Sequence, residues 1–125
     1  MAVEICISCM LQMENPCVMD VHVDVQMVTS AITLTEICTM PYRKGSPAIA
    51  ARYREYFTNS EKLFLREVDA LVAEEAARLR AKFSLRTPDA LQIATAHIVG
   101  ADVILTNNLA WQSKTKTKVM TLEML

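Results

Sequence analysis

The stretch Arg86-Thr-Pro-Asp-Ala-Leu-Gln-Ile-Ala-Thr-Ala-His97 reads as a helix that is apolar on nearly every side. A helix of that kind is stable only when covered all round, so the chain must wrap other elements about it. Thr87 suits the N-cap and Pro88 the first helical position, while Gly100 provides the stop. Asp102-Val-Ile-Leu-Thr106 then reads as a candidate central strand, and Lys118-Val-Met-Thr-Leu122 as a strand closer to an edge. In an open α/β sheet, a helix N-terminus and the carboxyl end of a parallel strand are neighbours. That rule brings Asp89, in the first turn of the helix, toward Asn107 and Asn108.

The remaining pattern agrees with layers of helix and sheet. Pro47 opens a helix from Ala48 to Phe57, and Leu63-Phe-Leu-Arg-Glu-Val68 is a short strand. Asp69 caps a helix to about Phe83, whose buried stripe is Val72, Ala76, Leu79 and Phe83 and whose polar face holds Glu74, Glu75, Arg78 and Lys82. Alternating helices and short apolar strands predict an α/β fold with a mainly parallel central sheet flanked by helices. The first third is less regular. Val21, Val23, Val25 and Met27 alternate with polar residues as a strand ending at Thr29-Ser30. Ser30 can cap a helix carrying Ile32, Leu34, Glu36, Ile37 and Met40, halted before Pro41. Ile32-Thr-Leu-Thr35 also alternates and would extend the strand, so periodicity leaves both readings open.

Composition narrows the classes of function. The 125 residues, 52% of them hydrophobic, suit a single domain over residues 1–125. With a formal net charge of -1, attraction to nucleic acid requires a local patch. Three basic clusters exist: Arg43, Lys44, Arg52 and Arg54; Arg78, Arg80, Lys82 and Arg86; and Lys114, Lys116 and Lys118. Taken singly, each reads as an ordinary solvated face. Two glycines are too few for dinucleotide or P-loop phosphate cradles. The first residues lack a basic leader segment, with Glu4 in its place, and no run is long enough to span a bilayer; a cytoplasmic location is expected.

Other constellations have plain structural accounts. Cys6, Cys9, Cys17 and His22 could be drawn as a zinc site, but their spacing fits no standard module, and buried thiols are the expectation for these and Cys38. Asp20, His22 and Asp24 share one face of a strand and could be drawn as a metal set, against a solvent-facing strand edge. His97 reads as a hydrogen-bonded core histidine. Methionines such as Met10, Met13, Met19 and Met27 suggest adaptable packing or a partner surface.

Three segments in order, Ser30-Ala-Ile-Thr-Leu-Thr-Glu36, Arg86-Thr-Pro-Asp-Ala-Leu-Gln-Ile-Ala-Thr-Ala96 and Leu105-Thr-Asn-Asn108, resemble a PIN domain of the VapC toxin type. The likeness covers about residues 28 to 125. It implies a three-layer PIN-like fold and a metal-dependent endoribonuclease hydrolysing RNA phosphodiesters, partnered by a VapB-like antitoxin and forming a homodimer. It also implies Mg²⁺ or Mn²⁺ held by clustered carboxylates, the oxygen ligands hard divalent cations prefer.

By this resemblance Glu36 and Asp89 are the catalytic and metal-binding acids, Asn108 a third metal ligand, and Thr106 and Asn107 the residues ordering the surroundings. Two departures weaken the expected site. The late motif usually ends in Thr-Asn-Asp, so Asn108 keeps an oxygen but loses a charge. The family's first strand ends in an Asp, and counting back from Glu36 puts that position at or before residue 1. Either the chain starts after that strand, or Val3-Glu-Ile-Cys-Ile7 is a degenerate version of it, with Glu4 at the wrong end; residues 1–27 are atypical, truncated or rearranged. Weak metal binding and weakened cleavage follow as expectations. The alternative is a non-catalytic PIN-like module that keeps the fold for antitoxin or homo-oligomer contacts. Glu36, set among apolar residues, could instead be satisfied by Arg43 or another base.

Overall fold

Neighbouring side chains of a strand point to opposite faces, and Met27 and Val28 accordingly join two separate apolar cores. The computed structural model describes residues 5–11 and 23–124, with side chains from residue 26 onward other than that of residue 122. Its strands are β1 (Ile5–Leu11), β2 (Val23–Ser30), β3 (Leu63–Arg66), β4 (Val103–Leu105) and β5 (Lys118–Met120). Its helices are α1 (Ile32–Arg43), α2 (Pro47–Asn59), α3 (Ala70–Phe83) and α4 (Thr87–Val99), with short 3-10 helices at Leu109–Lys114 and Leu122–Met124.

The five strands form one sheet in the order β3-β2-β1-β4-β5. β2 pairs with β3 in parallel, as β4 does with β5, while β1 runs antiparallel to both β2 and β4. Four strands therefore point one way, and the central one opposes them. One face carries the smaller core of Ile37, Phe57 and Leu63, with Met27, Leu34 and Leu65 packed on it. The other carries the larger core, in which Val28, Ile104 and Val119 of the sheet meet Val72, Ala76, Leu79, Ile93 and Trp111. This is a three-layer α/β arrangement. Phe64 shares the face of its partner Val28 but stays 56% exposed, because β3 is an edge strand.

Local chemistry explains most boundaries. Asp69 caps α3 by accepting from the backbone N–H of Val72 at 3.1 Å. Gly100 ends α4 in a left-handed conformation, φ 66°. Residues 32–35 are helical, so the helix prevails over extension of the strand. Its cap, however, is Ala31, which offers no capping side chain, and Ser30, the last residue of β2, contributes only by accepting from the N–H of Ile32 at 3.3 Å. Pro41 does not halt α1, which runs on to Arg43 with the proline buried inside it. The ring removes one donor, but the helix ends within the following turn, so few bonds remain to be lost. Thr87 is the first residue of α4 rather than its cap; the boundary falls at Arg86, which is extended and offers no capping side chain.

β1 fills the place between β2 and β4. Cys6 lies opposite Val28 and Ile5 opposite Leu105, so the carboxyl ends of β2 and β4 lie at one edge of the sheet, about 10 Å apart with a strand between. Placing Glu4 at the wrong end presumed a first strand parallel to its neighbours. β1 runs the other way, which puts its amino end at that same edge; Glu4 itself lies outside the described residues.

Candidate active site

α1 leaves β2 directly, so its first turn sits at the carboxyl edge of the sheet, where the amino-terminal turn of α4 crosses it. The crossing is fixed by a buried polar ladder. Gln92 Nε2 donates to Thr33 Oγ1 at 3.0 Å, and Thr33 Oγ1 shares a hydrogen bond with Thr29 Oγ1 at 2.8 Å. Gln92, Thr33 and Thr29 are each at most 2% exposed.

Glu36 follows Thr33 by one helical turn, and Asp89 precedes Gln92 by one turn. Burial and then the nearby Asp89 carboxylate push the Glu36 carboxyl above its ordinary range, with Arg86 acting in the opposite sense. Arg86 Nε donates to Asp89 Oδ2 at 3.2 Å from a side chain that is 82% exposed. Exposed pairs of this kind are worth little, so the guanidinium is easily displaced. The base that Glu36 senses is therefore Arg86, brought by α4, and not Arg43 on its own helix. Two acids from helices distant in sequence thus share one neighbourhood with Arg86 as a loosely held counter-charge.

Thr106, Asn107 and Asn108 leave the end of β4 at this same edge. Thr106 is buried, its N–H donating to the carbonyl of Met120 at 2.9 Å and its Oγ1 accepting from the N–H of Asn108 at 3.1 Å. Asn108 Oδ1 accepts from the N–H of Ala110 at 3.2 Å and so caps the 3-10 helix Leu109–Lys114. Asn107 is exposed. The structural role of Asn108 is thus plain, and one lone pair of its oxygen remains. Among the described residues, no group of three or more His, Cys, Asp and Glu side chains is placed to hold a metal.

The other sequence-derived sets fall elsewhere. Asp20, His22, Cys17 and Glu4 lie outside the described residues, as do the side chains of Asp24, Cys6 and Cys9. His97 is hydrogen-bonded, through Nδ1 to Glu75 Oε1 at 3.1 Å and through Nε2 to Thr115 Oγ1 at 2.7 Å. The Gln92–Thr33 bond was not anticipated, although an amide inside an otherwise apolar helix was a signal that a buried partner existed.

Comparison with solved structures gives a chain of a toxin–antitoxin complex from Klebsiella pneumoniae, with a TM-score of 0.58 and 23% identity over 74% of this chain and 70% of that one. No curated protein matches the sequence. The PIN domain family matches residues 20–116, a span that takes in β2, both acid-bearing helices and the 106–108 loop, and the chain belongs to that family.

Proposed function

We propose that this chain is a VapC-type toxin that hydrolyses RNA phosphodiesters with Mg²⁺ or Mn²⁺, through a site weaker than that of its relatives. The observation that carries the reading is the neighbourhood of Glu36 and Asp89, in which burial first and then the Asp89 carboxylate push the Glu36 carboxyl above its ordinary range. Family membership supports nuclease chemistry, and the toxin–antitoxin neighbour supports pairing with a VapB-like antitoxin.

The donor set suits a hard divalent cation, because both acids offer oxygens and their repulsion is relieved by a positive ion. When bound, such an ion activates water and neutralises charge on the phosphoryl group under attack. Glu36 and Asp89 would hold it, with Asn108 at the rim supplying a neutral oxygen. Arg86 would give up Asp89 to the ion and turn to the RNA backbone, for which an exposed guanidinium is suited. Thr106 and Asn107 would order the loop. We place the whole of residues 1–125 in one PIN-like domain and the protein in the cytoplasm; no helix among the described residues is long and apolar enough to cross a membrane. A homodimer fits the exposed apolar side chains Phe64 and Leu71, and light scattering at micromolar concentration tests it.

The deciding experiment incubates single-stranded RNA with the protein and Mn²⁺. Slow cleavage that Asp89→Ala abolishes supports the reading. Cleavage that survives Asp89→Ala places the chemistry elsewhere, and no cleavage by the unaltered chain leaves a binding module.

A further inference from the structure

Two of the basic clusters that stand apart in sequence meet across one groove. α3 supplies Arg78 and Lys82 to one wall, and the end of the 3-10 helix with the segment after it supplies Lys114 and Lys116 to the other; the cavity between them measures about 570 Å³. Lys82 Nζ and Lys114 Nζ both lie over the ring of Phe83, at 5.1 and 5.9 Å from its centroid. The ring attracts each ammonium, yet holding both beside it sets two like charges together. Among the described residues no carboxylate resolves that conflict. The acid in the groove is Glu75, and its oxygens are engaged by His97 at 3.1 Å and Arg78 at 3.2 Å. None of Lys82, Lys114 and Lys116 joins an ion pair among the described residues.

Three unneutralised ammonium groups in a chain of net charge -1 form a local site for a polyanion. Guanidinium forks match carboxylate and phosphate alike, and the one here, Arg78, is already held by Glu74 and Glu75. The three ammonium groups act as point charges, and a chain of phosphates supplies the closely repeated negative charge that such a cluster takes. The groove is separate from the acid pair: Asp89 and His97 stand at opposite ends of α4, about 12 Å apart along its axis.

We propose that this groove is a second RNA contact, which grips the phosphates of a single-stranded segment outside the cleavage site through Lys82, Lys114 and Lys116. The identity of the polyanion rests on the nuclease reading above. A few nucleotides cover the distance between the two places.

The test measures binding of a labelled single-stranded RNA by fluorescence anisotropy in EDTA, where hydrolysis is suppressed, over a range of salt concentrations. A Lys82→Ala, Lys114→Ala, Lys116→Ala triple variant, its fold checked by circular dichroism, should bind about tenfold more weakly, with a log–log salt slope shallower by about 2. The corresponding triple Lys→Arg variant should keep both affinity and slope. In cleavage with Mn²⁺ the alanine variant should raise KM and leave kcat alone. If the unaltered chain cleaves RNA and the alanine variant keeps its slope and KM, the groove assignment is overturned while the nuclease reading stands. If the unaltered chain neither binds nor cleaves RNA, both fall. Unchanged RNA affinity with lost binding to polyglutamate would overturn the RNA assignment in favour of an acidic protein segment.

Discussion

Gln92 and Thr33 stand 59 positions apart in sequence and meet in a buried hydrogen bond of 3.0 Å, which fixes α4 against α1 one turn from the two acids. The bond sets the separation of Glu36 and Asp89 without touching either.

Gln92→Leu keeps most of the volume and loses the bond, while Thr33 retains Thr29 as a partner. The expected cost in stability is about 1 kcal/mol. Gln92→Ala adds a cavity and should cost about 2–3 kcal/mol. Chemical denaturation gives both values. Metal affinity, read by calorimetry, should fall in the leucine variant more than its small loss of stability suggests. Equal affinity in the two proteins would show that the helix crossing is held by other contacts.

Asn108→Asp tests the loss of charge in the late motif. The carboxylate can still accept from the N–H of Ala110 and so preserve the cap. It also adds a negative charge at the carboxyl edge of β4, where a neutral amide is the poorer ligand for a hard cation. Mn²⁺ affinity should rise about tenfold, with faster RNA cleavage. Unchanged affinity would leave Asn108 as a capping residue alone.

The long apolar helix and the strand whose apolar residues alternate up to Met27 were legible in sequence because periodicity reports burial directly; the burial of Val28 on the opposite face was not. Asp89 stood out only through flanking residues, since an acid in the first turn of a helix is favoured whatever its role. Glu36 was marked also by the apolar residues around it, where an unpaired charge is costly. The direction of β1 was not legible. A strand reads alike in both senses, and what decides its orientation is pairing with Val28 and Leu105, far away in sequence. The same limit hid the choice of Arg86 over Arg43 beside Glu36, and the meeting of Lys82 with Lys114.

Glu36→Gln should separate function from stability. In the folded chain the Glu36 carboxyl holds its proton more readily than in the unfolded chain, where it titrates near 4.5. Its contribution therefore favours folding least once the pH has risen past the native value, and the penalty disappears in acid. Without metal, Glu36→Gln should raise the melting temperature at neutral pH by on the order of 2 °C and leave it unchanged below the carboxylate range. Added Mn²⁺ should stabilise the unaltered protein but not the variant. Thermal shifts with and without EDTA show both effects, and a variant less stable at neutral pH would mean that Glu36 is well compensated where it stands.

Glu75 provides the opposite sign. Its hydrogen bond with His97 is the largest cause holding its carboxyl below the ordinary 4.5, and Arg78 adds to the effect. Unfolding then takes up a proton in acid, so the pair stabilises the fold above the ordinary carboxylate range and ceases to do so as the pH falls through it to the lowered native value. The bond also ties α3 to α4, and His97 in turn reaches Thr115 beside the lysine groove. His97→Ala should lower the melting temperature at neutral pH and flatten its fall as the pH drops through the ordinary carboxylate range and below it. Glu75→Gln should flatten the same limb, because the amide has no charge to lose. A melting profile with an undiminished acid limb in both variants would assign that limb to other carboxylates, Asp69 foremost, whose carboxyl is held low by Arg66 and by the N–H of Val72.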